Sequence, residues 1–142
     1  MRNIYWLAYL ALASLNAIAD ESEFRCLKSV GLNSSIKLQF NFPTDNENFG
    51  YVSYQKGSGK IPVKNTKEES KEISVGRPLE FTREWEEVTS DGTGGKYILV
   101  SQGGLIYEFK YIRKKDGKVY SFEEDYQAIA ENGCQWSTNS KN

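Results

Sequence analysis

Two cysteines, Cys26 and Cys134, stand near opposite ends of this chain, and no other feature restricts its fold as much. In an oxidising compartment an even cysteine count is read as a disulfide. Closing so long a loop is worth about 4–5 kcal/mol in the chain-entropy model. The bridge also requires the first and last strands to lie side by side. A sheet whose two ends meet is a barrel or a closed sandwich.

The beginning of the chain supplies the oxidising compartment. Arg2 is followed by residues 4–18, apolar apart from Ser14 and Asn16, then by the small-x-small triplet Ala17-Ile18-Ala19 and by acidic Asp20-Glu21. This is the pattern of a secretory signal peptide, residues 1–19, cut after Ala19. Residues 20–142 are then expected to form a single β-barrel-like domain, of a size that builds its own core. The apolar run is shorter than the roughly 20 residues of a membrane span, and no basic stop-transfer cluster follows it, so no membrane span is expected. Glu23-Phe24-Arg25 precedes Cys26, which is not a lipid-attachment sequence. The expected location is the periplasm or the outside of the cell.

Alternation of apolar and polar residues marks most of the remainder as strands. Ile36, Leu38, Phe40 and Phe42 share one face of residues 36–42, the clearest strand in the chain. Residues 49–55 form a second strand, and a short one follows at 61–64. Residues 65–71 are charged and read as an exposed loop, with a possible edge strand at 73–75. Leu79, Phe81 and Trp85 share a face of residues 79–88, interrupted by Arg83. A glycine-rich connection, residues 90–95, leads into a strand at 96–102. Gly103-Gly104 and Asp116-Gly117 read as tight hairpins around the alternating Leu105, Tyr107, Phe109 and Tyr111. Residues 119–122 form another strand, and 123–131 read equally as a short helix or a last strand. Aromatic residues make up 13% of the chain, which favours sheet. The expected fold class is all-β: an antiparallel meander of seven to eight strands forming a small barrel or flattened sandwich, with one disulfide.

The chain contains no histidine. That excludes Ser-His-Asp and Cys-His nucleophilic catalysis and two-histidine zinc motifs. Phosphate-loop, dinucleotide-binding and haem-attachment motifs are missing too. A carboxylate pair for glycoside hydrolysis would have to come from Glu84, Glu86 and Glu87. Glu84 and Glu86 fall on the strand face opposite Trp85 and read as a solvated outer face. Asp45-Asn46-Glu47-Asn48 lacks calcium-loop spacing, because Phe49 stands where an oxygen ligand is needed. No catalytic residue, metal ligand or cofactor is therefore expected, and the chain is read as a non-enzyme. With 18 basic against 19 acidic residues and a pI near 5.6, it offers no basic face for nucleic acid or an anionic membrane. Asn33-Ser34-Ser35 matches a glycosylation sequon that acts only in a eukaryotic secretory route.

One segment has a different character. In Thr93-Gly94-Gly95-Lys96-Tyr97 a glycine turn presents a hydroxyl and places an aromatic residue at the mouth of a strand. Such a loop suits insertion into a partner's cleft, with Thr93 bonding carboxylates, Lys96 adding charge at the rim and Tyr97 giving rigid contact area. The competing reading of the same residues is a plain hairpin whose Tyr97 packs within the sheet.

The layout resembles the bacterial inhibitors of c-type lysozyme, of the membrane-bound and periplasmic kind. Phe24-Arg25-Cys26 is similar to their aromatic-x-Cys opening, and Asn132-Gly133-Cys134-Gln135 to their Asn-x-Cys-Gln close. Thr93-Gly94-Gly95-Lys96-Tyr97 resembles their Ser-Gly-x-x-Tyr loop, with Thr for Ser. The resemblance implies a small exported β-barrel, a disulfide from beginning to end, and partner binding through Thr93, Gly94, Lys96 and Tyr97. This chain departs from the pattern in its extra length between Gly57 and Val88. It also carries Gly103-Gly104-Leu105 and Lys115-Asp116-Gly117 where the family has Phe-Trp and Lys-Gly pairs.

The expected function is that of an exported periplasmic binding protein that inhibits a cell-wall hydrolase. Its partner would be a peptidoglycan hydrolase, either a host lysozyme or a competitor's toxin against which it confers immunity. The alternative is a small-ligand (glycan or lipid) binding β-barrel with Tyr97, Tyr107, Phe109, Tyr111 and Tyr120 lining its cavity.

Overall fold

In a computed structural model of the chain, eight antiparallel strands follow one another around a closed barrel, each paired with its sequence neighbours. The structure describes residues 23–42 and 48–136. The signal-peptide segment and residues 45–47 of the rejected calcium loop lie outside them. The strands are β1 (Glu23–Ser29), β2 (Lys37–Phe42), β3 (Phe49–Tyr54), β4 (Lys60–Lys71), β5 (Glu80–Thr89), β6 (Gly92–Gln102), β7 (Leu105–Ile112) and β8 (Val119–Glu124). Pairing of β1 with β8, Leu27 opposite Glu124 and Ser29 opposite Phe122, closes the cylinder and leaves none of the eight as a free sheet edge.

After β8 a 3-10 turn (Tyr126–Ala128) leads into a two-stranded ribbon of β9 (Ile129–Ala130) and β10 (Gly133–Cys134). Residues 123–131, ambiguous in the sequence, thus divide among the end of β8, that turn and β9. The ribbon sets Cys134 against β1, with a Cα–Cα distance of 5.7 Å across the Cys26–Cys134 disulfide. The Cys134 N–H donates to Gln39 Oε1 at 2.7 Å and the Asp125 N–H to the Cys26 carbonyl at 2.8 Å. These bonds seat β10 and the end of β8 against β1 and β2.

The interior follows the two-residue period. Leu27, Leu38, Phe40, Val52, Val63, Trp85, Tyr97, Leu99, Phe109 and Phe122 form one buried cluster. Its centre is aromatic: Phe40 meets Trp85, Tyr97 and Phe109 edge-on, with ring centroids 5.4, 6.0 and 5.9 Å apart. Side chains thus fill the middle of the barrel, and room remains only at its two ends.

Three boundaries differ from the sequence reading. Residues 65–71, expected to be a loop, continue β4 as a strand paired with β5 from Asn65 opposite Trp85 to Lys71 opposite Glu80. This extension overhangs the barrel end, so neither face needs apolar residues. Arg83 and Glu68 are 3.2 Å apart across it. No strand forms at 73–75, which lies within the connection at 72–79. In the β5–β6 hairpin, Thr89 is already opposite Gly92, so the turn is only Ser90-Asp91 and the glycines belong to β6. Gly103-Gly104 is the expected two-residue hairpin, with φ of +57° and +83°. The Asp116-Gly117 turn is wider, because Arg113 and Lys118 close it and Ile112 pairs with Val119.

Candidate functional site

The two barrel ends differ. One carries the β1–β2, β3–β4, β5–β6 and β7–β8 connections and is called here the hairpin end. The other carries the β2–β3, β4–β5 and β6–β7 connections and opens into a bowl.

At the hairpin end, alternation along β5 puts Trp85 and Glu87 inside and Glu84 and Glu86 outside. Glu87 is only 9% exposed. Its Oε1 accepts hydrogen bonds from the Gly95 N–H and the Tyr111 hydroxyl, both at 3.0 Å. A buried carboxyl needs such partners. Of the two positions facing it on β6, Gly95 leaves no room for a Cβ and Gly94 leaves little. A Cβ on Gly95 would lie 2.5 Å from the Tyr111 hydroxyl, and one on Gly94 would lie 3.0 Å from Glu87 Cβ. The double glycine of the sequence motif therefore makes room for Glu87 and Tyr111 beneath the hairpin.

Tyr97 belongs to the same cluster. It has no exposed surface, its hydroxyl is 2.6 Å from that of Tyr54, and its ring centroid is 4.9 Å from that of Tyr111. The structure thus assigns Tyr97 to the core, as in the plain-hairpin reading, rather than to a partner-contacting tip. The cause is parity: Tyr97 is opposite Trp85 in register and shares its inward face. Burial pushes the Tyr54 hydroxyl up to about 12 and also raises those of Tyr97 and Tyr111. All three are phenols, not phenolates, at neutral pH.

Thr93, by contrast, is exposed beside the turn, and Gly94 is half-buried behind it. Lys96 is exposed on the outer face. Its Nζ is 3.0 Å from Glu84 and 3.5 Å from Glu86, whose hydrogen bonds and charges raise its pKa. The charge of Lys96 is thereby engaged on the barrel wall, away from the tip. The cation beside Thr93 is Lys114, whose Nζ donates to the Thr93 carbonyl at 2.6 Å. Lys114 comes from the β7–β8 connection, which also exposes Lys115 and Lys118. Arg113 and Asp116 pair within that connection, and this contact with the guanidinium holds the Asp116 carboxyl down at about 2. Sequence reasoning named Glu87 only as a candidate carboxylate for acid–base work, not as a brace, and missed Lys114. The shared parity of Trp85 and Glu87 was a usable signal for the role of the first; the second depends on the β7–β8 connection meeting the start of β6 in space.

Comparisons with protein-family models, with curated proteins and with solved structures find no match to this chain.

Among the described residues no group of three Cys, Asp or Glu side chains is arranged to hold a metal ion, and no helix is long and apolar enough to cross a membrane. The aromatics named for a cavity are dispersed. Tyr97 and Phe109 are core, Tyr107 is 61% exposed on the outside, and only Tyr111 and Tyr120 border a small cavity of about 290 Å³ at the hairpin end. The larger cavity, about 640 Å³, is the bowl at the opposite end. Of the three β5 carboxylates named as candidates, Glu84 and Glu86 share Lys96 on the outer wall, and Glu87 is on the opposite, inner face.

Proposed function

We propose that this is an exported, non-catalytic binding protein that inhibits a cell-wall hydrolase, working in the periplasm or outside the cell and contacting its partner with the hairpin end. One observation carries the reading. The β5–β6 tip is exposed, yet it is braced from below by Glu87 and Tyr111 and from the side by Lys114 on Thr93. A loop held in a single conformation loses little entropy on docking. Ser90 and Thr93 expose their hydroxyls there, Lys114 holds the Thr93 carbonyl, and Lys115 and Lys118 are exposed on the same connection as Lys114; such cations complement an acidic cleft such as the carboxylate pair of a glycoside hydrolase. The disulfide between the chain's two ends is compatible with an oxidising location.

The test is turbidimetric lysis of cell-wall suspensions by c-type lysozyme, by bacterial muramidases and by amidases, each with micromolar mature protein. The reading predicts that at least one of these enzymes is inhibited stoichiometrically. If none loses activity, the reading fails.

A further inference from the structure

The bowl at the other end of the barrel has features that inhibition through the hairpin end leaves unused. Phe42, Phe81, Trp85, Leu99 and Ile106 line it together with polar and charged side chains. Its charged groups are already matched. Arg25 bonds Glu23 and Glu124 at 2.8 and 2.9 Å, and Arg83 pairs with Glu68 while its guanidinium lies 4.8 Å over the Phe81 ring. Two polar atoms in the wall have no partner among the described residues: the indole Nε1 of Trp85, a residue only 2% exposed, and Oδ1 of half-buried Asn65. They are neighbours, since Asn65 is directly opposite Trp85 in the β4–β5 register. One is a donor and the other an acceptor. An unpaired buried polar atom is costly, and a donor and an acceptor left unpaired on neighbouring residues of a cavity wall mark a place where a ligand restores the bonds.

We infer that this bowl is a second binding site, for a neutral saccharide. A single hydroxyl does what the pair needs, accepting from Trp85 Nε1–H and donating to Asn65 Oδ1. Both atoms are covered in the structure, so a ligand reaches them only when the Asn65 amide, held through Nδ2 by a 3.5 Å contact to Glu68, turns aside. The apolar face of a sugar ring packs on Phe42 and Phe81. The cavity volume of about 640 Å³ lies within the range of small-molecule sites. Other ligand classes fit less well. An acyl chain leaves both polar atoms unpaired, and a phosphate or carboxylate finds both guanidinium groups taken by Glu23, Glu124 and Glu68.

The test is a titration of mature ¹⁵N-labelled protein with maltotriose, cellotriose and chitotriose, following the indole N–H resonance of Trp85, assigned by its absence in Trp85→Phe. At least one trisaccharide is expected to shift this resonance saturably. For that sugar, Asn65→Ala and Trp85→Phe should each weaken affinity tenfold or more, measured calorimetrically. Asn65→Ala keeps the test open if the core substitution unfolds, because Asn65 is half-buried. The inference is overturned if no trisaccharide shifts the resonance. It is also overturned if Asn65→Ala binds the sugar as tightly as the unaltered protein.

Discussion

Replacing Tyr97 separates its role in the core from a role in contact. Its ring is wholly buried, with centroids 6.0 Å from Phe40, 5.9 Å from Phe109 and 4.9 Å from Tyr111. Truncating a core aromatic to alanine removes the transfer free energy of the ring and leaves a cavity, together about 3–5 kcal/mol. The Tyr54 hydroxyl also loses its 2.6 Å partner, which adds about 1 kcal/mol. The total, about 4–6 kcal/mol, is comparable to the whole stability of many domains. Tyr97→Ala is therefore expected to be largely unfolded. Tyr97→Phe keeps the ring and loses only the hydroxyl pair, for a loss of about 1 kcal/mol. Equilibrium urea unfolding followed by near-ultraviolet circular dichroism gives both values. The reasoning is refuted if Tyr97→Ala stays within 1 kcal/mol of the unaltered protein, because a ring that can be deleted so cheaply is not in the core.

Three further outcomes follow from the same contacts. Gly95→Ala drives a methyl group into Tyr111 and should destabilise by about 1–3 kcal/mol; in a double-mutant cycle Tyr111→Ala should recover part of that loss, and strict additivity would show that the two do not touch. Replacing Cys26 and Cys134 by serine should lower stability by about 2–5 kcal/mol in denaturant titrations, and an unchanged midpoint would mean that the bridge is dispensable. Tyr54, raised from 10.0 to about 12 by burial, gives a stability contribution that is complete below pH 10 and lost as pH rises from 10 through 12, because the unfolded chain ionises first. The buried tyrosines' share of the tyrosinate absorbance should therefore appear together with unfolding in this range, and ionisation of all tyrosines near pH 10 in folded protein would contradict it.

Much of the fold was legible because barrel strands carry the two-residue period in their own residues. Leu38-Gln39-Phe40 shows its inward and outward positions directly, and the separation of Cys26 from Cys134 announces that the ends meet. The β4 extension was illegible for the opposite reason. Lys67-Glu68-Glu69 is held by pairing to β5 beyond the barrel rim, where no buried face leaves an apolar signature. At the hairpin end the motif was visible but its purpose was not. The glycines of Thr93-Gly94-Gly95 read as a flexible turn, whereas they are strand positions emptied to admit Glu87 and Tyr111. Parity along β5 and β6 would have put Glu87 and Tyr97 inside. No local pattern brings Lys114 to Thr93, because that contact joins the start of β6 to the β7–β8 connection, 21 residues away.

Contact through the hairpin end is the central claim, and inhibition by Thr93→Glu tests it most directly. Thr93 is exposed and its carbonyl, not its side chain, holds Lys114, so this substitution should leave the unfolding midpoint within about 0.5 kcal/mol of the unaltered protein. A carboxylate introduced at the tip meets like charge in an acidic cleft, at a cost of several kcal/mol. The inhibition constant against the susceptible hydrolase should rise at least a hundredfold with the fold intact. An unchanged constant in folded Thr93→Glu would place the contact elsewhere on the barrel and contradict the account.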